Sequence, residues 1–250
     1  FDPIGTNSNP FKGHFDGDGV NFEININRPG ENYQAFFGYV EGSTLKNFSV
    51  TGSVTGAQYT AGIVGYQRSG EIINVYNNAT INGTSSVAGI SGYVYEGSIR
   101  ESYNHGNITA SGSHAGGIAG YIYGRYGSIL ITNTYNRGEI LAHSNAGGLV
   151  GAVYNYRSTS RHSVISYSYS SGLVSANSNA GGVIGSFTSG ANTRTHIYYD
   201  MSVIAMYDQP LNLKPDYITN PNGLDSGTMI LGLAPMTSFS EAFWSFDGKG

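Results

Sequence analysis

The sequence has no cysteine. That excludes a disulfide framework, thiolate metal sites and a cysteine nucleophile, while leaving the compartment open, because a chain of this length can build a core without a disulfide. Charge is scarce: 11% of residues are Asp, Glu, Lys or Arg, and the formal net charge is −4. So small a charge does not hold a chain expanded, and a hydrophobic fraction of 39% is too high for a disordered one. The mild acidity argues against a general nucleic-acid binder. No apolar run reaches the roughly 18 residues of a membrane span. The glycines do not fall every third residue, which removes collagen.

Glycine and tyrosine are what the chain has in excess, 37 and 20 of 250 residues. The glycines recur in a motif. Ala35-Phe36-Phe37-Gly38-Tyr39, Gly62-Ile63-Val64-Gly65-Tyr66, Gly89-Ile90-Ser91-Gly92-Tyr93 and Gly117-Ile118-Ala119-Gly120-Tyr121 are followed by Gly148-Leu149-Val150-Gly151 and Gly182-Val183-Ile184-Gly185. The closing glycines step by 27, 27, 28, 31 and 34 residues. Three apolar rows share the period: Phe36, Ile63, Ile90, Ile118, Leu149, Val183; then Leu45, Ile72, Ile99, Ile131, Ile165, broken by Thr195; then Val54, Ile81, Ile108, Ile140, Val174, Ile204. Each lies in a short β-branched segment bounded by Gly, Asn or Ser, which reads as a strand. Three strands per repeat at a constant period describe a coil that stacks on its own copy. The expected fold is all-β, a parallel β-helix of six coils about 4.8 Å apart. Its expected hand is right-handed, by the general rule for parallel crossovers.

Residues 1–34 read as a degenerate first coil and cap, residues 35–204 as the six coils, and residues 205–250 as an irregular C-terminal cap, all in one structural domain. Four of the seven prolines and the single Trp244 fall in that last stretch, with one short helix expected near 228–233. Both ends read as cut from a longer polypeptide.

The motifs carry a family resemblance. Gly147-Gly148-Leu149-Val150-Gly151 with Ile165 and Tyr169-Ser170-Ser171-Gly172-Leu173-Val174 resembles the GLUG repeat of bacterial surface proteins. Ile72-Ile73-Asn74-Val75-Tyr76-Asn77 and Ile131-Thr132-Asn133-Thr134-Tyr135-Asn136-Arg137-Gly138 are similar to its Ile-x-Asn-x-Tyr-Asn portion. Pro3-Ile4-Gly5 and the run from Pro10 to Gly19 resemble the segment that precedes such repeats. The resemblance spans about residues 3–204 and implies an extracellular protein, secreted or held at a bacterial surface. Such repeats occur in adhesin-like proteins and beside the peptidase domains of IgA-specific metalloendopeptidases. It carries no catalytic residue.

The repeat grows at one corner only. From the tyrosine position to the next closing glycine the spacing stays at 16 or 17 residues; from glycine to tyrosine it goes from 11 to 15, 18 and 14. The enlarged loops supply Tyr123, Arg125 and Tyr126, then Tyr154, Tyr156, Arg157, Arg161 and His162, then Arg194 and His196. Four of the eight arginines are among them, and no acid occurs between Glu139 and Asp200. Insertions on one side of a repeat protein often form its binding face, and Tyr and Arg suit contact surfaces. These ten residues are the candidate site, for a glycan or an acidic protein partner. Two further tyrosine rows, Tyr39-Tyr66-Tyr93-Tyr121 and Tyr76-Tyr103-Tyr135-Tyr169-Tyr199, read as self-stacking supports, and Asn77, Asn104 and Asn136 as an amide ladder. Glu41, Arg68 and Glu96 read as an alternating-sign surface ladder.

No enzyme is expected. Polysaccharide cleavage needs clustered carboxylates, and residues 35–199 hold five acids, of which only Glu71 and Glu96 fall where they could approach each other, across a turn. The six histidines lack ligand spacing, and Asp16-Gly17-Asp18-Gly19 is an incomplete calcium loop. No metal and no cofactor are expected. The function these features imply is a non-catalytic stalk or adhesin segment, with an accessory module of an extracellular peptidase as the alternative and a polysaccharide lyase or hydrolase as the less favoured one.

Overall fold

In the computed structural model residues 1–125, 128–156, 163–188, 192–200, 204–206 and 222–224 are described, with backbone alone at 188, 192–196, 200, 204–206 and 222–224. They form a parallel β-solenoid of six stacked coils. A typical coil has three strands, as in Val64–Gln67, Gly70–Asn77 and Thr80–Ala88, each paired in parallel with its equivalent one coil away. One sheet has six strands: Phe37–Val40, Val64–Gln67, Ser91–Val94, Ala119–Gly124, Val150–Asn155 and Ile184–Thr188. The other strands join a single 15-stranded sheet, because the long Ser43–Thr55 pairs with both Gly70–Asn77 and Thr80–Ala88. His14–Asn27 continues the stack below Ser43–Thr55. The proposed cap at 205–250 and its helix lie outside the described residues, apart from the backbone of the first two cap residues and of Asn222–Leu224.

The aliphatic rows fill the tube. The row from Phe36 to Val183 is at most 4% exposed, and the row from Leu45 to Ile165 at most 1%. The third row is in continuous register from Ile26 through Val54, Ile81, Ile108, Ile140 and Val174 to Ile204. Burying one such side chain contributes about 1.5–3 kcal/mol. An exposed ion pair such as Arg100–Glu71 contributes about 0–1 kcal/mol. The rows therefore hold the coils together and the surface charges do not. At the N-terminal end the rows open on phenylalanine: Phe15, Phe22, Phe36, Phe37 and Phe48 pack with ring centroids 4.9–6.3 Å apart.

The register corrects two assignments. Arg194, not Thr195, lies opposite Ile165, and Tyr198, not Tyr199, lies opposite Tyr169. A one-residue slip turns every side chain to the other face, and the backbone pairing sets Ile197 opposite Ser168 and Tyr198 opposite Tyr169.

The motif's two glycines serve different neighbours. A Cβ on the first, at Gly62, Gly89 or Gly117, would lie within 3.0 Å of Asn77, Asn104 or Asn136. These asparagines are fully buried and chained along the axis: Asn77 Nδ2 donates to Asn104 Oδ1, and Asn104 Nδ2 to Asn136 Oδ1, both at 2.7 Å. Each also donates to the carbonyl two residues on, at Ala79, Gly106 and Gly138, holding the turn. A Cβ on the second glycine, at Gly65, would lie 2.7 Å from the carbonyls of Gly38 and Tyr59. There the preceding corner, with Tyr59 at φ 59°, lies directly on the sheet.

Replacing Asn104 with Ala removes a partner from both neighbouring amides and from the Gly106 turn. Leaving buried polar groups unpaired costs about 1–3 kcal/mol. Urea unfolding should show a loss of that size for Asn104→Ala and almost none for the exposed Asn78→Ala.

Candidate functional site

The outer side of the six-stranded sheet is built from tyrosine. Tyr39, Tyr66, Tyr93 and Tyr121 stack in register, with centroids 4.6, 4.6 and 5.4 Å apart. A flanking track comes from the left-handed corner residues Tyr33, Tyr59, Ser86, His114 and Asn145, at φ 55–66°. Tyr33 and Tyr59 stack at 5.1 Å, Tyr59 meets Tyr66 and Tyr93 edge-on, and His114 lies 4.8 Å from Tyr121. On the other flank Tyr123 is sandwiched between Tyr95 at 5.7 Å and Tyr154 at 5.3 Å. Stacked aromatic pairs add about 0.5–1.5 kcal/mol beyond their burial.

This third track starts with charge. Arg68 is in register with Glu41 and Tyr95, since its amide donates to Val40 while that of Tyr95 donates to Gln67. Tyr95 therefore occupies the position that spacing assigns to Glu96. Glu41 meets Arg68 at 3.4 Å and Lys12 at 3.1 Å, so the charges pair with one another. Burial, reinforced by the neighbouring phenols, pushes the Tyr66, Tyr93 and Tyr121 hydroxyls above the usual tyrosine range.

The enlarged turns follow the third track. Gly124 pairs with Asn155 before the turn, and Ile129 pairs with Ser163 after it, so the lengthened segments of these two coils start and end in register. The structure brings together four of the ten candidate residues: Tyr123 stacks on Tyr154, Tyr154 lies 6.5 Å from Tyr156, and the Arg125 guanidinium sits 5.3 Å over the Tyr156 ring. Tyr126, Arg157, Arg161 and His162 lie outside the described residues. Arg194 and His196 fall within the strand Asn192–Asp200, not in the turn before it, and only their backbone is described.

A search against protein-family models finds no match, and no curated protein matches the sequence. A solved structure does. The chain superposes on a putative immunoglobulin A1 protease from Bacteroides ovatus with a TM-score of 0.60, over 90% of this chain and 72% of that one, at 17% identity. At that identity the likeness shows the fold. Both chains are β-solenoids, and roles do not transfer by residue.

Elsewhere Glu71 and Asp16 are engaged with bases and amides. Glu71 pairs with Arg100 at 3.3 Å. Asp16 accepts from Lys46 and Asn47 at 3.0 Å and from the Asp18 amide at 3.1 Å, a set that holds its carboxyl below the usual range and occupies the oxygens a calcium ion would need. Among the described residues no group of three or more His, Cys, Asp or Glu is placed to hold a metal. The second tyrosine ladder, Tyr76, Tyr103, Tyr135 and Tyr169, stacks at 4.0–5.1 Å on the opposite sheet. The Tyr76 hydroxyl donates to Asn74 Oδ1, and Arg137 hydrogen-bonds Tyr169 while lying over Tyr135.

Burial lowers His105 and His114 below the ordinary 6.5, with Arg137 adding to the effect at His105. The unfolded chain then takes up protons first, and stability should fall as pH drops below about 6.5. The ladder tyrosines are raised above 10.0, so unfolded phenols ionise first and stability should fall again above about pH 10. Urea midpoints across pH should show a plateau between these limbs. His114→Asn, matching Asn145 at the same corner, should flatten the acid limb.

Proposed function

We propose that the chain is a non-catalytic spacer and binding module of an extracellular, surface-held or secreted protein, similar to the GLUG-repeat regions its motifs resemble. The observation that carries this reading is the corner where Arg125, Tyr156, Tyr154 and Tyr123 meet on the fourth and fifth coils of a stiff rod. Tyr offers rigid amphipathic area at low entropic cost, and Arg a planar five-donor fork. The partner suited to that pair is an anionic glycan or an acidic peptide. No acid occurs between Glu139 and Asp200, the stretch that supplies Tyr154 and Tyr156.

A second reading places the same rod beside a peptidase. The name of the Bacteroides ovatus protein, a putative immunoglobulin A1 protease, favours it. In that setting the corner positions a substrate for a catalytic domain elsewhere in the polypeptide. A zinc-binding His-Glu-x-x-His motif in the full-length gene would select this reading over a surface adhesin.

Replacing Arg125 and Tyr156 together with Ala should reduce retention on arrays of sulfated and acidic glycans and acidic peptides at least tenfold. An exposed cation–π pair contributes only about 0.5–1 kcal/mol to stability, so thermal unfolding should barely move. An array profile identical to that of the unmodified chain would refute the site.

A further inference from the structure

The two tyrosine ladders share a stacking geometry and differ in what their hydroxyls meet. On the 15-stranded sheet Tyr76 and Tyr169 are engaged by Asn74 and Arg137, leaving Tyr103 without a hydroxyl partner among the described residues, and on the six-stranded sheet Tyr39 is engaged by Arg68. On the six-stranded sheet, among the described residues, the hydroxyls of Tyr66, Tyr93 and Tyr121 have no hydrogen-bond partner in the protein, and none is buried away from solvent. A polar tip that reaches water from a half-buried ring is a contact group with its orientation already set.

From this geometry we infer that the outer face of the six-stranded sheet is a second binding surface, distinct from the Arg125 corner, and that it takes an uncharged, extended glycan lying along the rod axis.

Three features select that occupant. The ring faces are covered by their stacked neighbours, so the ladder presents edges and hydroxyls, matching a ligand that is itself a row of hydroxyls. The hydroxyls repeat at the coil spacing, about 4.8 Å, close to the advance of one sugar unit in an extended glycan, so successive sugars meet successive coils. Charge is kept to one margin, where Glu41 is paired with Arg68 and Lys12, while burial holds His114 toward its neutral form. An uncharged polymer is complementary to such a surface. An added peptide strand needs a free sheet edge, and the interior strands of this sheet are paired on both sides. Tyr33 and Tyr59 on one flank, and Tyr95, Tyr123 and Tyr154 on the other, form the walls.

The test uses the 250-residue chain and linear neutral oligosaccharides of two to six units, β-1,4-linked glucose, mannose and xylose, in calorimetric titrations. At least one series should bind, with affinity rising with length. Tyr66→Phe, Tyr93→Phe and Tyr121→Phe combined keep the stacked rings and remove only the hydroxyls, and should weaken the hexasaccharide at least tenfold. Tyr76→Phe with Tyr103→Phe, and Arg125→Ala with Tyr156→Ala, should each leave it within twofold. The proposal fails if no neutral oligosaccharide binds, if affinity is independent of length, or if the triple Phe variant binds as tightly as its parent. Retention of polygalacturonate alone, or self-association through this face in sedimentation, would also overturn it. Loss of acidic ligands at the Arg125 corner with the neutral series intact would affect only the corner.

Discussion

Along the described strands of this protein side chains rest on their equivalents one coil away, and that in-register parallel stacking governs the rest. It demands that every position be able to neighbour a copy of itself at strand spacing. Aliphatic and aromatic side chains do so by dispersion, and amides by donating and accepting in turn. Unpaired charges do so poorly, which accounts for a sequence poor in charge and for acids that stand beside a base. Glu41 with Arg68, and Glu71 with Arg100, are pairs between adjacent coils. The same demand makes insertions expensive everywhere except at a turn, and the additional residues of the later coils collect at one.

The Gly-x-x-Gly motif joins the inside of the tube to its outside. Its first glycine leaves room for a buried asparagine that both closes a turn and donates to the next coil. Its second lets a left-handed corner lie on the sheet, which sets Tyr33, Tyr59 and His114 against the tyrosine ladder. A side chain at either glycine would push apart two layers that other rows hold at van der Waals distance. The motif is therefore a packing device, and it says little about chemistry by itself.

Much of this is legible in the sequence because identical residues recur at one period. The three aliphatic rows, the asparagine ladder and both tyrosine stacks repeat nearly unchanged, and the coils follow from them. Positions whose chemistry changes along the stack are not legible. The interior row Val40, Gln67, Val94, Ile122 and Val153 is interrupted by a glutamine whose amide donates to Gly70 and Ser98. Another interior position passes from Phe48 and Val75 to Ser102, Thr134 and Ser168, where hydroxyls bond one another and the backbone. Glu96 falls one residue out of register because spacing alone does not show which of Tyr95 and Glu96 faces Arg68. Tyr33 and Tyr59 belong to no apparent tyrosine row, since their successors are serine and histidine, and only the left-handed corner reveals that they share a track.

The candidate corner and the tyrosine face are two surfaces that adjoin along the third track. The third track begins as an ion pair at Glu41 and Arg68, becomes tyrosine at Tyr95, Tyr123 and Tyr154 and reaches Thr188, while Arg125 lies over Tyr156, two residues beyond Tyr154. The turn lengthens from the coil of Tyr123 onward, one coil after that track becomes aromatic. A turn that only needed to close would have stayed short, as between Val94 and Gly97. Length adds entropy that folding must overcome, and here it accompanies tyrosine and arginine, side chains with much to gain from burial against a partner. Stacking on the sheet already orders Tyr123 and Tyr154, so a ligand that meets them finds ring and hydroxyl in place and gives up little further freedom on binding.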